Sequence, residues 1–155
     1  MDFNAAFTAL IGNEGGYVND PRDPGGETKY GISKRAYPGE DIAGMTLERA
    51  KEIYLRDYWG PAGCDAVPDQ IKFVLFDTAV NSGVKTAIKM LQAAVAETQD
   101  GVLGPKTLQA AQHMPADRAR LRFAGGRLLY FTQLANWETF GRGWVAREAN
   151  NLLRA

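Results

Sequence analysis

The residues best suited to chemistry lie in one stretch, Glu14-Gly15-Gly16-Tyr17-Val18-Asn19-Asp20-Pro21-Arg22-Asp23-Pro24-Gly25-Gly26-Glu27-Thr28-Lys29-Tyr30-Gly31-Ile32. Before it, Phe3, Phe7, Leu10 and Ile11 recur at helical spacing, and Gly15-Gly16 predicts that this helix ends near Glu14. A carboxyl at such a helix end sits beside apolar side chains and near the negative end of the helix dipole. Both influences disfavour its charged form and raise its pKa. A carboxylic acid still protonated near neutral pH is what glycosidic bond cleavage needs at the leaving oxygen. Asp23 follows nine residues later, in a Pro/Gly turn able to fold back toward Glu14, and Thr28 adds a hydroxyl able to hold a water. Asp20 competes with Asp23 for the role of second carboxylate, and both also suit plain turn formation. Gly25 and Gly26 allow close approach of backbone to a bulky substrate.

Further along, Asp77 and Asn81 are four apart and share one face of a predicted helix. They suit either helix-internal bonding or hydrogen bonds to a sugar acetamido group. Tyr30, Tyr58 and Trp59 offer aromatic faces that either stack on pyranose rings or fill the core. Trp137 and Trp144 read as packing residues on the terminal segments.

The chemical inventory narrows the classes. His113 is the only histidine, whereas zinc amidases and H-E-x-x-H peptidases need at least two, so no metal site is expected. Cys64 is the only cysteine: no intramolecular disulfide is possible, and its Pro61-Ala62-Gly63-Cys64-Asp65 setting reads as a small buried side chain rather than a nucleophile. No phosphate-binding loop or serine-hydrolase elbow is present, and no cofactor is expected. Lys plus Arg and Asp plus Glu are both 18, a balance that argues against nucleic-acid binding. The C-terminal part is nonetheless basic, with seven Arg (118, 120, 122, 127, 142, 147 and 154) against Asp117, Glu138 and Glu148. That reads as a solvated helical face, with attraction to anionic wall or lipid surfaces as the alternative.

The elements that must position these groups are nearly all helical. Thr46 is placed to cap a segment with Leu47, Ala50, Ile53, Tyr54 and Tyr58 on one face. Asp69 is expected to cap a strongly apolar, buried central helix running to Gly83. Val84, Ala87, Ile88, Leu91 and Val95 form the next stripe, and Gly104-Pro105 opens a further helix with Pro at its favoured first position. Leu121, Leu128, Leu129 and Leu134 mark a longer helix, and residues 144–153 a terminal one. The Gly/Pro-rich excursion after the first helix suits a loop or small β-hairpin.

The run E-G-G-Y-V-N-D-P-x-D-P-G-G-E-T-x-Y-G-I resembles the N-terminal signature of glycoside hydrolase family 108, muramidases found mostly in phages and prophages. Phe76-Asp77-Thr78-Ala79-Val80-Asn81-Ser82-Gly83, Leu91-Gln92, residues 100–108 and Gly143-Trp144-Val145-Ala146-Arg147 resemble the companion peptidoglycan-binding region. The resemblance implies a mainly α, lysozyme-like domain spanning 1–155, with a catalytic signature region to about residue 67 and a helical peptidoglycan-binding region from about 68. It implies Glu14 as catalytic acid, and Asp23 and Thr28 as its partners. It implies Tyr30, Trp59, Asp77 and Asn81 as candidates for substrate contact. The expected activity is that of an N-acetylmuramidase acting in host cell lysis. A non-catalytic peptidoglycan-binding module and a muramidase effector exported by a secretion system are the alternatives. The expected partners are bacterial peptidoglycan and a holin, with the protein a monomer. The N-terminus shows no basic and apolar leader, so the protein is expected to wait in the host cytoplasm and act in the periplasm after release.

Overall fold

A computed structural model describes residues 1–12, 16–19 and 26–153. It is mainly helical, with one small hairpin after the first helix, as the sequence predicts. The chain forms two compact units, one of residues 2–57 and one running from Tyr58 onward together with Met1.

The 2–57 unit holds α1 (Phe3–Ile11), β1 (Thr28–Lys29), β2 (Ile32–Ser33) and α2 (Leu47–Tyr54). Asp2 caps α1 by accepting the Ala5 N–H at 2.8 Å. The helix stops at Ile11, because Gly12 turns left-handed (φ 58°) and its N–H bonds back to Thr8. It therefore ends earlier than the expected stop near Glu14. Phe7 packs edge-on against Tyr54 of α2, with ring centroids 5.5 Å apart. Around this pair Ala6, Ile32, Ile42, Met45, Ala50 and Ile53 are buried, each large apolar side chain contributing about 1.5–3 kcal/mol by leaving water. Thr46 caps α2 as expected, its Oγ1 accepting the Arg49 N–H at 3.1 Å. Leu47 lies off the buried face, and Tyr58 falls beyond α2, in a π-helical turn over Leu55–Trp59.

The second unit packs five helices: α3 (Asp69–Ser82), α4 (Val84–Ala94), α5 (Pro105–His113), α6 (Ala116–Thr132) and α7 (Trp137–Leu153). The central helix is α3, with residues from Ile71 to Ala79 almost all buried, and it packs on α4 and α6. Three expectations change here. Pro68 rather than Asp69 precedes the first turn of α3, and the Asp69 carboxylate pairs instead with Lys72 and the Met1 amine. In α6 the buried stripe is Ala119, Phe123, Ala124, Arg127 and Phe131, while Leu121 and Leu129 are exposed and Leu134 lies past the helix end. The last helix begins at Trp137, not Trp144; the absent side chain of Gly141 admits the Trp137 indole, which an added Cβ would meet at 2.5 Å.

Candidate active site

Glu14, Asp23 and Asp20 lie outside the described residues. Thr28 and Tyr30, at the other end of the same sequence run, are described and belong to one hairpin. Its register pairs Thr28 with Ser33 and Lys29 with Ile32, leaving Tyr30 and Gly31 as a two-residue connection. Both carry positive φ (51° and 76°), the signature of a type I′ turn, whose twist matches that of the flanking strands. For an aromatic residue this conformation costs of order 1–3 kcal/mol.

Val18 adds a third rung. Its backbone exchanges two hydrogen bonds of 2.8 Å with Thr28, so the strand-like segment at Val18 is tied to the hairpin. The Thr28 hydroxyl donates to the Gly26 carbonyl at 3.3 Å, and its oxygen keeps its acceptor capacity. Tyr17, beside Val18, donates its hydroxyl to Glu27 Oε1 at 3.0 Å. Loss of hydration and the neighbouring Glu27 push the Tyr17 phenol up. Sequence reasoning passed over this pair, although both residues stand in the signature run.

The other candidates lie in the second unit. Trp59 is 1% exposed and packs edge-on against Phe76 at 5.4 Å, so its ring faces are enclosed by protein rather than open to a sugar. Asp77 is likewise 1% exposed and its carboxylate is already occupied. Its Oδ1 accepts from Arg147 and Asn81; its Oδ2 faces Arg127 at 2.6 Å and accepts from Asn151 at 3.0 Å. A carboxylate has roughly four lone-pair directions, and these donors use them. Asp77 thus serves as a structural anion within this unit. Asn81 sits one turn on, exposed, with its amide nitrogen bonded to the Asp77 carbonyl at 2.7 Å. The helix-internal bond is thus realised, and the carboxamide remains at the surface.

Glu148 completes the buried group, its Oε2 2.7 Å from Arg127. Burial pushes its carboxyl above the usual range, against the opposing pull of Arg127. The basic C-terminal part is accordingly not one solvated face. Arg127 is buried in this cluster, while Arg120 and Arg122 donate to the backbone carbonyls of Leu152 and of Ala93 and Ala94.

The turn at the start of the 100–108 segment is braced from below by one buried side chain. Gln92 is buried and donates to Asp100 Oδ1 at 2.7 Å and to the Val102 carbonyl at 3.0 Å, while its Oε1 accepts the Gly101 N–H at 2.9 Å. Cys64 is fully buried, its thiol pushed up to about 12 by loss of hydration, which leaves no thiolate for nucleophilic attack at neutral pH.

Residues 7–83 match the family model described as glycosyl hydrolase 108. The chain belongs to that family, which makes it a lysozyme-type peptidoglycan hydrolase at the family level. Among solved structures it is similar to "Structure of Brucella abortus SagA", with 36% sequence identity and a TM-score of 0.88 over 98% of this chain and 92% of that one. No curated protein sequence matches the chain.

Proposed function

We propose that the protein is an N-acetylmuramidase that cleaves the β-1,4 bond between N-acetylmuramic acid and N-acetylglucosamine in peptidoglycan. The observation that carries this reading is the family match over residues 7–83, which contains Glu14, Asp23 and Thr28 in the order that the sequence resemblance implies. Glu14 gives its proton to the glycosidic oxygen as that bond breaks. A water attacks the anomeric carbon from the opposite face and loses its proton to Asp23, with Thr28 supporting the water. This is a single displacement with inversion, for which the two carboxyl groups stand roughly 6.5–9.5 Å apart. Tyr30 and Asn81 are the described residues proposed to contact the glycan.

The biological setting proposed is host cell lysis by a phage-type endolysin. The monomeric enzyme waits in the host cytoplasm until a holin opens the membrane, then digests the wall from the periplasm. Digestion of purified Gram-negative sacculi followed by reducing-end analysis tests the activity. Muramic acid at the new reducing ends is the expected result; glucosamine ends, or cleaved peptide bonds, would overturn it. Glu14→Gln cannot donate a carboxylic proton and is expected to lower the rate by several orders of magnitude, with folding intact by circular dichroism.

A further inference from the structure

Within the 2–57 unit, the turn at Tyr30 and Gly31 has a conformation that its first residue disfavours, and the fold supplies the means to hold it. Tyr30 has φ of 51°, a region that Asn and Gly enter readily and bulky side chains seldom do. The turn itself needs no aromatic ring, since Asn-Gly makes the same connection without strain. Tyr54, at the end of α2 and 4% exposed, donates its hydroxyl to the Tyr30 carbonyl at 3.0 Å. The approach is close enough that a Cβ on Gly31 would stand 2.6 Å from Tyr54 Oη. Lys29 Nζ, which donates to the Ala43 carbonyl at 2.9 Å, lies 5.6 Å from the Tyr30 ring centroid. The Tyr30 ring itself stays half-buried. A bulky residue kept where the backbone resists it, with its carbonyl held by the hydroxyl of a neighbouring helix, is retained for the contacts of its ring.

We propose that Tyr54 is a positioning residue: its hydroxyl locks the left-handed turn at Tyr30 and so presents the Tyr30 ring as a stacking surface for a pyranose of the glycan. This role rests on the muramidase reading and on Tyr30 as a glycan contact.

The test compares wild type, Tyr30→Asn, Tyr54→Phe and the double variant, with un-cross-linked peptidoglycan strands as substrate at a temperature well below each melting point. Tyr30→Asn is expected to keep or raise the melting temperature, because Asn suits the turn, and to raise KM about 2–10-fold with kcat nearly unchanged. Tyr54→Phe is expected to raise KM by a similar factor alone, and to add nothing in the Tyr30→Asn background. Tyr54→Phe that lowers the melting temperature while leaving KM unchanged overturns the proposal. So does a KM rise of equal size in both backgrounds, or an unchanged KM in Tyr30→Asn, and in each of these cases the muramidase reading stands. Wild-type protein that leaves the strands uncut defeats the muramidase reading itself, and this inference with it.

Discussion

Arg127 and Asp77 meet at 2.6 Å with both side chains 1% exposed, so a full ion pair lies inside the second unit, joining α6 to α3. Glu148 and Arg147 of α7 extend it, at 2.7 Å from Arg127 and from Asp77 respectively. Charges in such a place are tolerated only while each keeps its partner, since the cost of removing an ion from water is met by its neighbours.

Removal of the Asp77 carboxylate is therefore expected to act on stability rather than on substrate. Asp77→Ala strands Arg127 in the interior and is expected to cost about 3–5 kcal/mol, read as a fall in the midpoint of urea unfolding. KM of the fraction that remains folded is expected to match wild type. A raised KM with an unchanged midpoint would instead restore Asp77 as a sugar ligand.

Glu148 gives the cluster a pH signature. Its carboxyl is raised above the ordinary 4.5, first by burial and then by Asp77, against the pull of Arg127. A carboxyl whose folded pKa is raised favours folding most while it is protonated, below its unfolded value, and that advantage is lost as pH rises through the folded value. Glu148→Gln removes this titration. Melting temperatures of wild type and variant, measured from pH 4 upward, are expected to shift in the variant's favour as pH rises. A difference that moves the opposite way would mean that Arg127 outweighs burial at this site.

These charges also explain what the sequence left illegible. Helix periodicity identified the apolar face of α4, the capping Thr46 and the Pro105 start of α5, because each depends on neighbours three or four residues away. It found α6 and α7 as helices but not their inward faces, where the buried positions include Arg127, Glu148 and Asn151 and the outward ones include Leu121, Leu129 and Phe140. An apolar stripe search cannot find a face whose polar members are neutralised by residues from other helices. Asp77 is paired with groups as many as 74 residues away, so its spacing from Asn81 alone could not separate ligand from anchor. Trp59 shows the same limit, since an indole able to cover a sugar also fits against Phe76. The hairpin was legible because glycine and turn chemistry are local. Tyr54 was legible only as a core residue; its hydroxyl contact to Tyr30 crosses 24 positions.

Gln92 offers a third measurement. Its buried carboxamide braces the Asp100–Val102 turn from both its oxygen and its nitrogen, and the Asp100 carboxyl is held below its usual range first by that bond and then by the Val102 N–H. Gln92→Ala removes the partners of the part-buried Gly101 N–H and Val102 carbonyl and is expected to cost roughly 0.5–1.5 kcal/mol for each bond lost. The sign of the pH effect is opposite to that at Glu148. A depressed carboxyl contributes stability above its unfolded value and loses it as pH falls through the folded one, so the wild type is expected to lose more stability than Gln92→Ala on acidification below about pH 4. Parallel acid unfolding curves would show that the Gln92 bond does not set the Asp100 titration.

The identity of the second carboxylate can be separated by kinetics. Asp23 follows Glu14 by nine residues and Asp20 by six, and Val18 and Thr28 bracket both with a two-way backbone pairing. If Asp23 is the base, Asp23→Asn lowers kcat by a factor of roughly 100 or more while KM and the melting temperature change little, because the carboxylate acts only as the water loses its proton. Asp20→Asn is then expected to keep most of its turnover. The reverse pattern would move the base to Asp20. Equal and mild losses in both would leave Glu14 working with a water held by Thr28, and Thr28→Val would then be the substitution that lowers kcat. Anomeric analysis of fresh products provides the matching check: a base-activated water attacking opposite the leaving group yields the α-anomer first, and early β-anomer would rule out single displacement.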